Sequence, residues 1–393
     1  MTAPSTGASQ KAASLPSSSS QTMRAARYHR VGQPFTVDTV PRPPLRATDV
    51  IVQVKACSIV PNLKVVLELL ANHPLLHSPP LPAIYGLDTS GVIIEKGELV
   101  HGMDIGDRVY VNPLRHCGSC RLCRMGKTRG CEYAVFNGYF GTGTKSAQTY
   151  KDYAYGGFAE YMNAPQYSLV KLPDNLSFET ASRWGYLGTA YSALRRANVN
   201  MSTTVLINGI SGTLGLGAAL FALALGAPKI LGVGRNAELL QKVKALAPDR
   251  IEVHSTEAGE SVAAWARSHT AGEGADVVID ALPTGAAPQA FLAALAALAR
   301  CGTHVNVGGV YEEVPINFLQ LMNSHQSCVG SYWFSTEEGQ QMADLAGSGQ
   351  VKLDVIENKV FPLEEINEAL VTIGSRTGGF SNYVISPDGR TAS

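Results

Sequence analysis

What this sequence lacks narrows its class before any motif is read. It has no uninterrupted apolar run of about 18 residues, the length at which a membrane-spanning helix becomes the natural reading. It has no charge surplus: Lys and Arg total 32, as do Asp and Glu, so there is neither a basic field for nucleic acid nor an acidic tail. Cysteine is scarce, seven in 393 residues. Four of them cluster between positions 117 and 131, which speaks for a metal site in a reducing, cytoplasmic setting rather than a disulfide framework. The first 22 residues lack the apolar core of a secretion signal. Rich in Ser, Ala and Thr, they read as a disordered leader, and Met23, which opens a strand-like run, is a second candidate start. What the chain does have is 45% hydrophobic content, enough for a large core in two or three domains.

The most informative stretch is residues 204–236, TVLINGISGTLGLGAALFALALGAPKILGVGRN. Residues 205–207 read as a short buried strand, a glycine turn follows, and small or apolar residues continue to Leu225 as a helix. A second strand, 230–233, arrives at the interval of a strand-helix-strand unit. Such a turn binds dinucleotides: glycines let the backbone approach a pyrophosphate, and the helix N-terminus supplies unpaired N–H groups. Gly209, Ser211, Gly212, Thr213, Leu214 and Gly215 are the candidate binding residues there. The second strand ends Gly234-Arg235-Asn236, without the acid that would hold the ribose 2′-hydroxyl of NAD, so Arg235 points to NADP instead. Buried strands at 276–281 and 304–308, separated by a helix at 288–298, extend the same α/β parallel sheet. Val307 and Gly308 lie at its carboxyl edge, where a nicotinamide ribose would pass.

Residues 23–172 are different in kind. Strand-like runs at 49–55, 91–95 and 107–111 are punctuated by glycines, the pattern of a compact β-barrel-like domain. It contains Cys117-Gly-Ser-Cys120-Arg-Leu-Cys123, with Cys131 following. Four thiolates at this spacing can close a tetrahedral zinc site with no open position. Arg115, Arg121, Arg124, Lys127 and Arg129 surround it and would offset its negative charge. An iron–sulfur cluster also uses closely spaced cysteines, but Glu132 stands where a ferredoxin-type run has Pro. The aromatic insertion at 135–155 would either wall a substrate pocket or bury a subunit contact. After Gln350 the chain returns to strand-like segments at 351–361 and 383–385, flanking a helix at 363–373.

The four-cysteine run, the glycine turn and the returning tail together resemble the medium-chain dehydrogenase/reductase superfamily, over residues 23–387. The segments GGFAEY at 156–161, TAYSAL at 189–194 and FPLEEINEAL at 361–370 strengthen the resemblance. It implies a GroES-like β-barrel catalytic domain, residues 23–172 completed by 346–388, and a Rossmann doubly wound domain, residues 173–345. It also implies a structural zinc at Cys117, Cys120, Cys123 and Cys131, a small-molecule substrate and a homodimer or homotetramer.

The resemblance breaks at the catalytic zinc. Val60 and Leu87 occupy two ligand places, and Gly185-Tyr186-Leu187-Gly188 offers no usual third ligand. Neither Val nor Leu can coordinate zinc, so that ion is expected to be absent. A rescue site from Cys57, His73, His77 and Asp88 can be drawn only on paper. The zinc-independent quinone oxidoreductases are similar around residues 86–91, although the Asn they place before Pro61 is Val60 here. Without a metal, a side chain or water must stabilise the charge that develops during hydride transfer. Ser58, Asn62, Lys64, Asp88 and Tyr186 are the polar groups available, and Tyr186, Asn62 and Asp88 are the catalytic candidates. The expected activity is NADP(H)-dependent interconversion of a small carbonyl and its alcohol. Reduction of a conjugated C=C bond is the alternative, and a catalytically silent NADPH-binding protein is the alternative of another class.

Overall fold

A computed structural model describes residues 21–70, 73, 75–376 and 378–389. Most of the expected leader lies outside the described residues, while Thr22 already belongs to the first strand, Thr22–Tyr28.

The strand Thr204–Asn208 is buried along nearly its whole length because Val205, Leu206 and Ile207 face packed layers on both sides. The helix Thr213–Ala224 follows; it is apolar on all faces and therefore sits inside the molecule. The strand Lys229–Gly234 then runs parallel to the first, with Ile230 opposite Val205. Four more parallel strands complete the sheet: Ile251–Ser255, Ala275–Asp280, Leu298–Asn306 and Ser327–Gly330. Counted in chain order, the six lie in the order 3-2-1-4-5-6. The order reverses between Thr204–Asn208 and Ala275–Asp280, and ligands bind in the crevice that such a reversal opens.

Two expectations here need correction. The helix expected at 288–298 ends at Leu295, and Leu298 already opens the next strand. Cys301 has a left-handed φ of 62°, and the pairing with the neighbouring strand shifts register between Ala275 and Val277. That irregularity breaks the apolar run, so only its second part is readable as a strand.

The other half is built on a seven-stranded sheet. Its path runs Leu169–Lys171, Arg108–Val111, Asp88–Lys96, Asp49–Ser58, Ser381–Ser386 and Glu357–Pro362, and Tyr161–Pro165 also pairs with Asp49–Ser58. Asp49–Ser58 can serve three neighbours because register shifts at Ile51/Val52 and Val54/Ala56 bend it. The C-terminal strand lies beside it, Val384 opposite Ser58, so the end of the chain closes the sheet that its beginning started. Residues 351–356, expected as strand, are irregular: Val351, Leu353 and Ile356 are apolar because they plug the core beside the nucleotide sheet. The helix Trp184–Arg196 packs on Thr213–Ala224, and its first turn carries Tyr186. Among the described residues no helix is long and apolar enough to cross a membrane.

Candidate active site

The glycine turn has the geometry of an anion cradle. Gly209 takes a φ of +84°, which an L side chain rarely adopts, and a Cβ at Gly215 would lie 2.1 Å from the carbonyl oxygen of Gly209. The first intrahelical bond runs from Leu216 N–H to Gly212 O, so the N–H groups of Thr213, Leu214 and Gly215 have no acceptor inside the helix. Gly212 caps the helix without a side chain, and no acid stands in the first turn. These groups fit a dinucleotide pyrophosphate. Arg235 is exposed just beyond Gly234, where the Ser255 hydroxyl donates to the Arg235 carbonyl. Asn236 acts on the next helix instead, its side chain accepting the Leu239 N–H and capping Ala237–Lys244. Gly308 donates its N–H to Asn306 Oδ1, and Val307 faces the cavity described next.

A cavity of about 200 Å³ lies between the two halves, with Leu214 and Val307 on the nucleotide side, Val60, Asn62 and Leu87 on the other, and Tyr186 from the first turn of the helix Trp184–Arg196. Within it two phenols converge on one amide: Tyr139 OH donates to Asn62 Oδ1 at 3.0 Å and Tyr186 OH donates to the same atom at 3.3 Å. With Oδ1 doubly engaged, the amide N–H pair of Asn62 has no protein acceptor among the described residues and is available as a donor. Burial pushes the Tyr186 phenol up, partly offset by Arg183, whose guanidinium carbon lies 5.4 Å from the ring centroid. Tyr139, which the sequence had not singled out, completes this group. Its signal was its place in the 135–155 insertion, the first part of which lines the cavity. The strands Val135–Phe136 and Phe140–Gly141 bring Phe136, Tyr139 and Phe140 into the cavity.

Val60 and Leu87 both face this cavity and are both buried. Asp88, beside Leu87, has its carboxylate against the start of the helix Trp184–Arg196: a Cβ on Gly185 would sit 2.2 Å from Asp88 Oδ1. Tyr110 OH donates to Oδ1 at 2.7 Å, while Oδ2 is buried without a hydrogen-bond partner. Burial pushes the Asp88 carboxyl up to about 7, against the Tyr110 hydrogen bond and the Arg183 charge, which pull it down. The paper rescue site does not form among the described residues. Cys57 is fully buried and receives the Thr89 hydroxyl, His73 Nδ1 accepts the N–H groups of Leu75 and Leu76, and the His77 backbone pairs with Gly141.

Cys117, Cys120, Cys123 and Cys131 do gather, their sulfurs all within 4.8 Å of one another. A tetrahedral zinc with bonds of about 2.3 Å needs sulfurs about 3.8 Å apart. The backbone N–H of Cys120 points at Cys117 Sγ, and those of Cys117 and Tyr133 at Cys131 Sγ, at 3.2–3.4 Å, so the loop already offers donors to thiolates. The donor set fits one closed zinc. Of the cations expected to balance it, Arg115 and Arg129 are engaged elsewhere, while Arg124 stays on the cysteine loop. Arg115 is wholly buried and donates to Asn112 O, Arg124 donates to Ser119 O, and Arg129 pairs with Glu338 at 2.9 Å.

Comparison with known proteins agrees with this architecture. Residues 46–174 match the alcohol dehydrogenase GroES-like domain and residues 213–348 match the zinc-binding dehydrogenase domain. An alcohol dehydrogenase from Geobacillus stearothermophilus is 32% identical over 351 residues, 88% of this chain and 94% of that protein. Among solved structures, AibC superposes with a TM-score of 0.79 at 26% identity, over 93% of this chain and 96% of that one. An NAD-dependent alcohol dehydrogenase superposes at 0.76 and 26% identity, over 93% and 99%. The chain therefore belongs to the medium-chain dehydrogenase/reductase superfamily and is a zinc-type alcohol dehydrogenase-like oxidoreductase, with a GroES-like domain joined to a Rossmann-type domain.

Proposed function

We propose that the protein interconverts a small carbonyl compound and its alcohol with NADP(H), without a catalytic zinc. The observation that carries this reading is the cavity in which the Asn62, Tyr139 and Tyr186 group meets Leu214 and Val307 of the nucleotide sheet, while Val60 and Leu87 present hydrocarbon at the positions of family ligands. NADP(H), held by the glycine turn, would supply the hydride for the carbonyl carbon. The Asn62 amide N–H donates to the carbonyl oxygen and stabilises the charge that grows there. Tyr186 OH, within hydrogen-bond reach of the same amide, hands its proton to that oxygen and is reprotonated from solvent. Asp88 stands behind Tyr186 as a buried acid that fixes the helix start. Thr213, Leu214 and Gly215 hold the pyrophosphate by their N–H groups, and Arg235, with the Ser211 and Ser255 hydroxyls near Gly234, holds the 2′-phosphate.

Neutral donors of this kind are weak, and a conjugated C=C bond needs less help than an isolated carbonyl, so enone reduction is the second reading. The same reading divides the chain at 172/173 and 345/346, with the Ser381–Ser386 strand returning to the first sheet, and places it in the cytoplasm as a homodimer or homotetramer.

Steady-state turnover of NADPH with aldehydes and enones tests it. Tyr186→Phe and Asn62→Leu should each lower kcat by about 100-fold, the scale of a lost oxyanion donor or general acid. Unchanged rates in both would overturn the assignment. Product analysis separates an alcohol from a saturated carbonyl, and tight NADPH binding with no turnover of any substrate would mark a silent binder.

A further inference from the structure

Of the six aromatic side chains that line the cavity, Phe136, Tyr139, Phe140, Tyr332 and Trp333 form one connected set of ring contacts. Phe136 is the hub, with centroids 4.9 Å from Trp333, 5.4 Å from Tyr332 and 5.7 Å from Phe140, all edge-on. Phe140 continues to Tyr139 at 4.5 Å. The rings are held in place by polar bonds at their rims. Trp333 Nε1–H donates to Asn112 Oδ1 at 3.0 Å, and Tyr139 OH donates to Asn62. A wall fixed in advance lowers the ordering cost of binding.

The polar inventory of the same cavity is short. The Tyr139 and Tyr186 hydroxyls are engaged with Asn62, and Thr189 Oγ1 donates to Gly185 O, which leaves the Ser331 and Tyr332 hydroxyls and the Asp88 carboxyl as the other polar side chains of the lining. Among the described residues no Lys, Arg or His lines it. A carboxylate or phosphate ester would be desolvated there beside the Asp88 carboxyl, with no cation on the lining and the Arg183 guanidinium against the Tyr186 ring. A polyol would set most of its hydroxyls against hydrocarbon and aromatic rings, with Asn62, Ser331 and Tyr332 the groups left to pair them. A cation would meet aromatic faces, but the Asp88 carboxyl, the acidic group of the lining, has its Oδ2 buried and its Oδ1 held by the Tyr110 hydroxyl. A flat uncharged ring meets rings on which its faces and edges can pack.

We propose that the cavity selects uncharged carbonyl compounds whose carbonyl is joined to an aromatic ring or a conjugated chain, the flat part packed among Phe136, Phe140 and Trp333 and the oxygen at Asn62. This rests on the cavity being the active site. Carbon gains a hydride from NADPH and oxygen gains a proton, so an aryl aldehyde leaves as the aryl alcohol with NADP⁺.

The test compares kcat/KM for benzaldehyde and cinnamaldehyde with that for cyclohexanecarbaldehyde, which has a ring of similar size but puckered, and with those for the 4-carboxy and 4-trimethylammonio benzaldehydes. Two or three ring contacts favour the flat neutral aldehydes by about tenfold over the puckered one. Both charged analogues should fall below benzaldehyde. Phe136→Leu should shrink the flat-to-puckered ratio through KM, and Tyr332→Ala, at an exposed ring, should do so to a smaller degree if the first variant folds poorly. As a readout independent of turnover, cinnamamide should quench tryptophan fluorescence of the NADP⁺-loaded protein at lower concentration than cyclohexanecarboxamide. Equal kcat/KM for flat and puckered aldehydes, or preference for either charged analogue, overturns the proposal. Preferential binding of the flat amide with no turnover of any aldehyde would sink the proposed activity and leave this selectivity standing.

Discussion

Asp88 and Arg235 can each be tested by a single substitution. Asp88 holds its proton to about pH 7, because burial opposes the charged form, whereas the unfolded chain releases it near the ordinary carboxylate value. Between those values the folded state binds the extra proton. Its contribution to stability is therefore fully present below about pH 4 and is lost as pH rises towards 7, at no more than about 1.4 kcal/mol per pH unit. Asp88→Asn removes that dependence while keeping an oxygen for the Tyr110 hydroxyl. Urea unfolding of both proteins from pH 4.5 to 7.5 should show the variant gaining on the parent as pH rises; parallel curves would mean that Asp88 is ionised throughout. Arg235 is exposed and makes no ion pair among the described residues, so its removal should hardly touch folding. Arg235→Ala should weaken NADPH by about tenfold, the scale of a lost charge-assisted bond, and leave NADH nearly unchanged. Equal losses for the two nucleotides, measured by titration, would defeat the NADP assignment.

At the scale of elements, the glycine turn separates residues that shape the fold from those that leave room for a ligand. At Gly215 a methyl group would strike the Gly209 carbonyl, whereas at Gly212 it would meet only that oxygen at 3.2 Å, and Gly212 has a φ of −78° that alanine accepts. Gly215→Ala should therefore lower the unfolding temperature, at a cost of about 2 kcal/mol or more. Gly212→Ala should leave it nearly in place and weaken NADPH instead, because its methyl group would stand in otherwise open space next to the N–H groups proposed for the pyrophosphate. Calorimetry and nucleotide titration of both variants would show whether the two effects separate. This unit was legible in the sequence because strand, turn and helix are contiguous and each has its own period. The apolar run at 351–356 was misread, since burial of an irregular segment leaves the same apolar signature as a strand. Tyr139 was missed because its partner, Asn62, lies 77 positions away and enters the site from a separate short helix start. That Val60 and Leu87 cannot coordinate a metal could be read from the sequence because residue type alone decides it.

For the whole molecule, the question is what the four-cysteine loop holds together. Cys117, Cys120 and Cys123 pack half-buried against the core of the first half, and Cys131 lies inside it. The ion pair from this loop to the nucleotide half is Arg129 with Glu338, the residue whose carboxylate also completes the N-terminal capping box of the helix Thr336–Gly347. A zinc there would fasten a loop onto one half and would leave the glycine turn, on the other, to the packing of its own sheet. Metal analysis of the purified protein should give about one zinc per chain, from the single closed four-thiolate donor set. Cys120→Ser should abolish that zinc and lower the unfolding temperature, since binding energy at such sites is folding energy. NADPH affinity should survive below the new transition, because Thr213 to Gly215 and Arg235 do not touch the loop. Two zinc ions per chain would place a metal where Val60 and Leu87 leave no ligands and would overturn the zinc-free chemistry. Loss of NADPH binding together with the zinc would show that the two halves fold as one cooperative unit, with the loop as a shared strut.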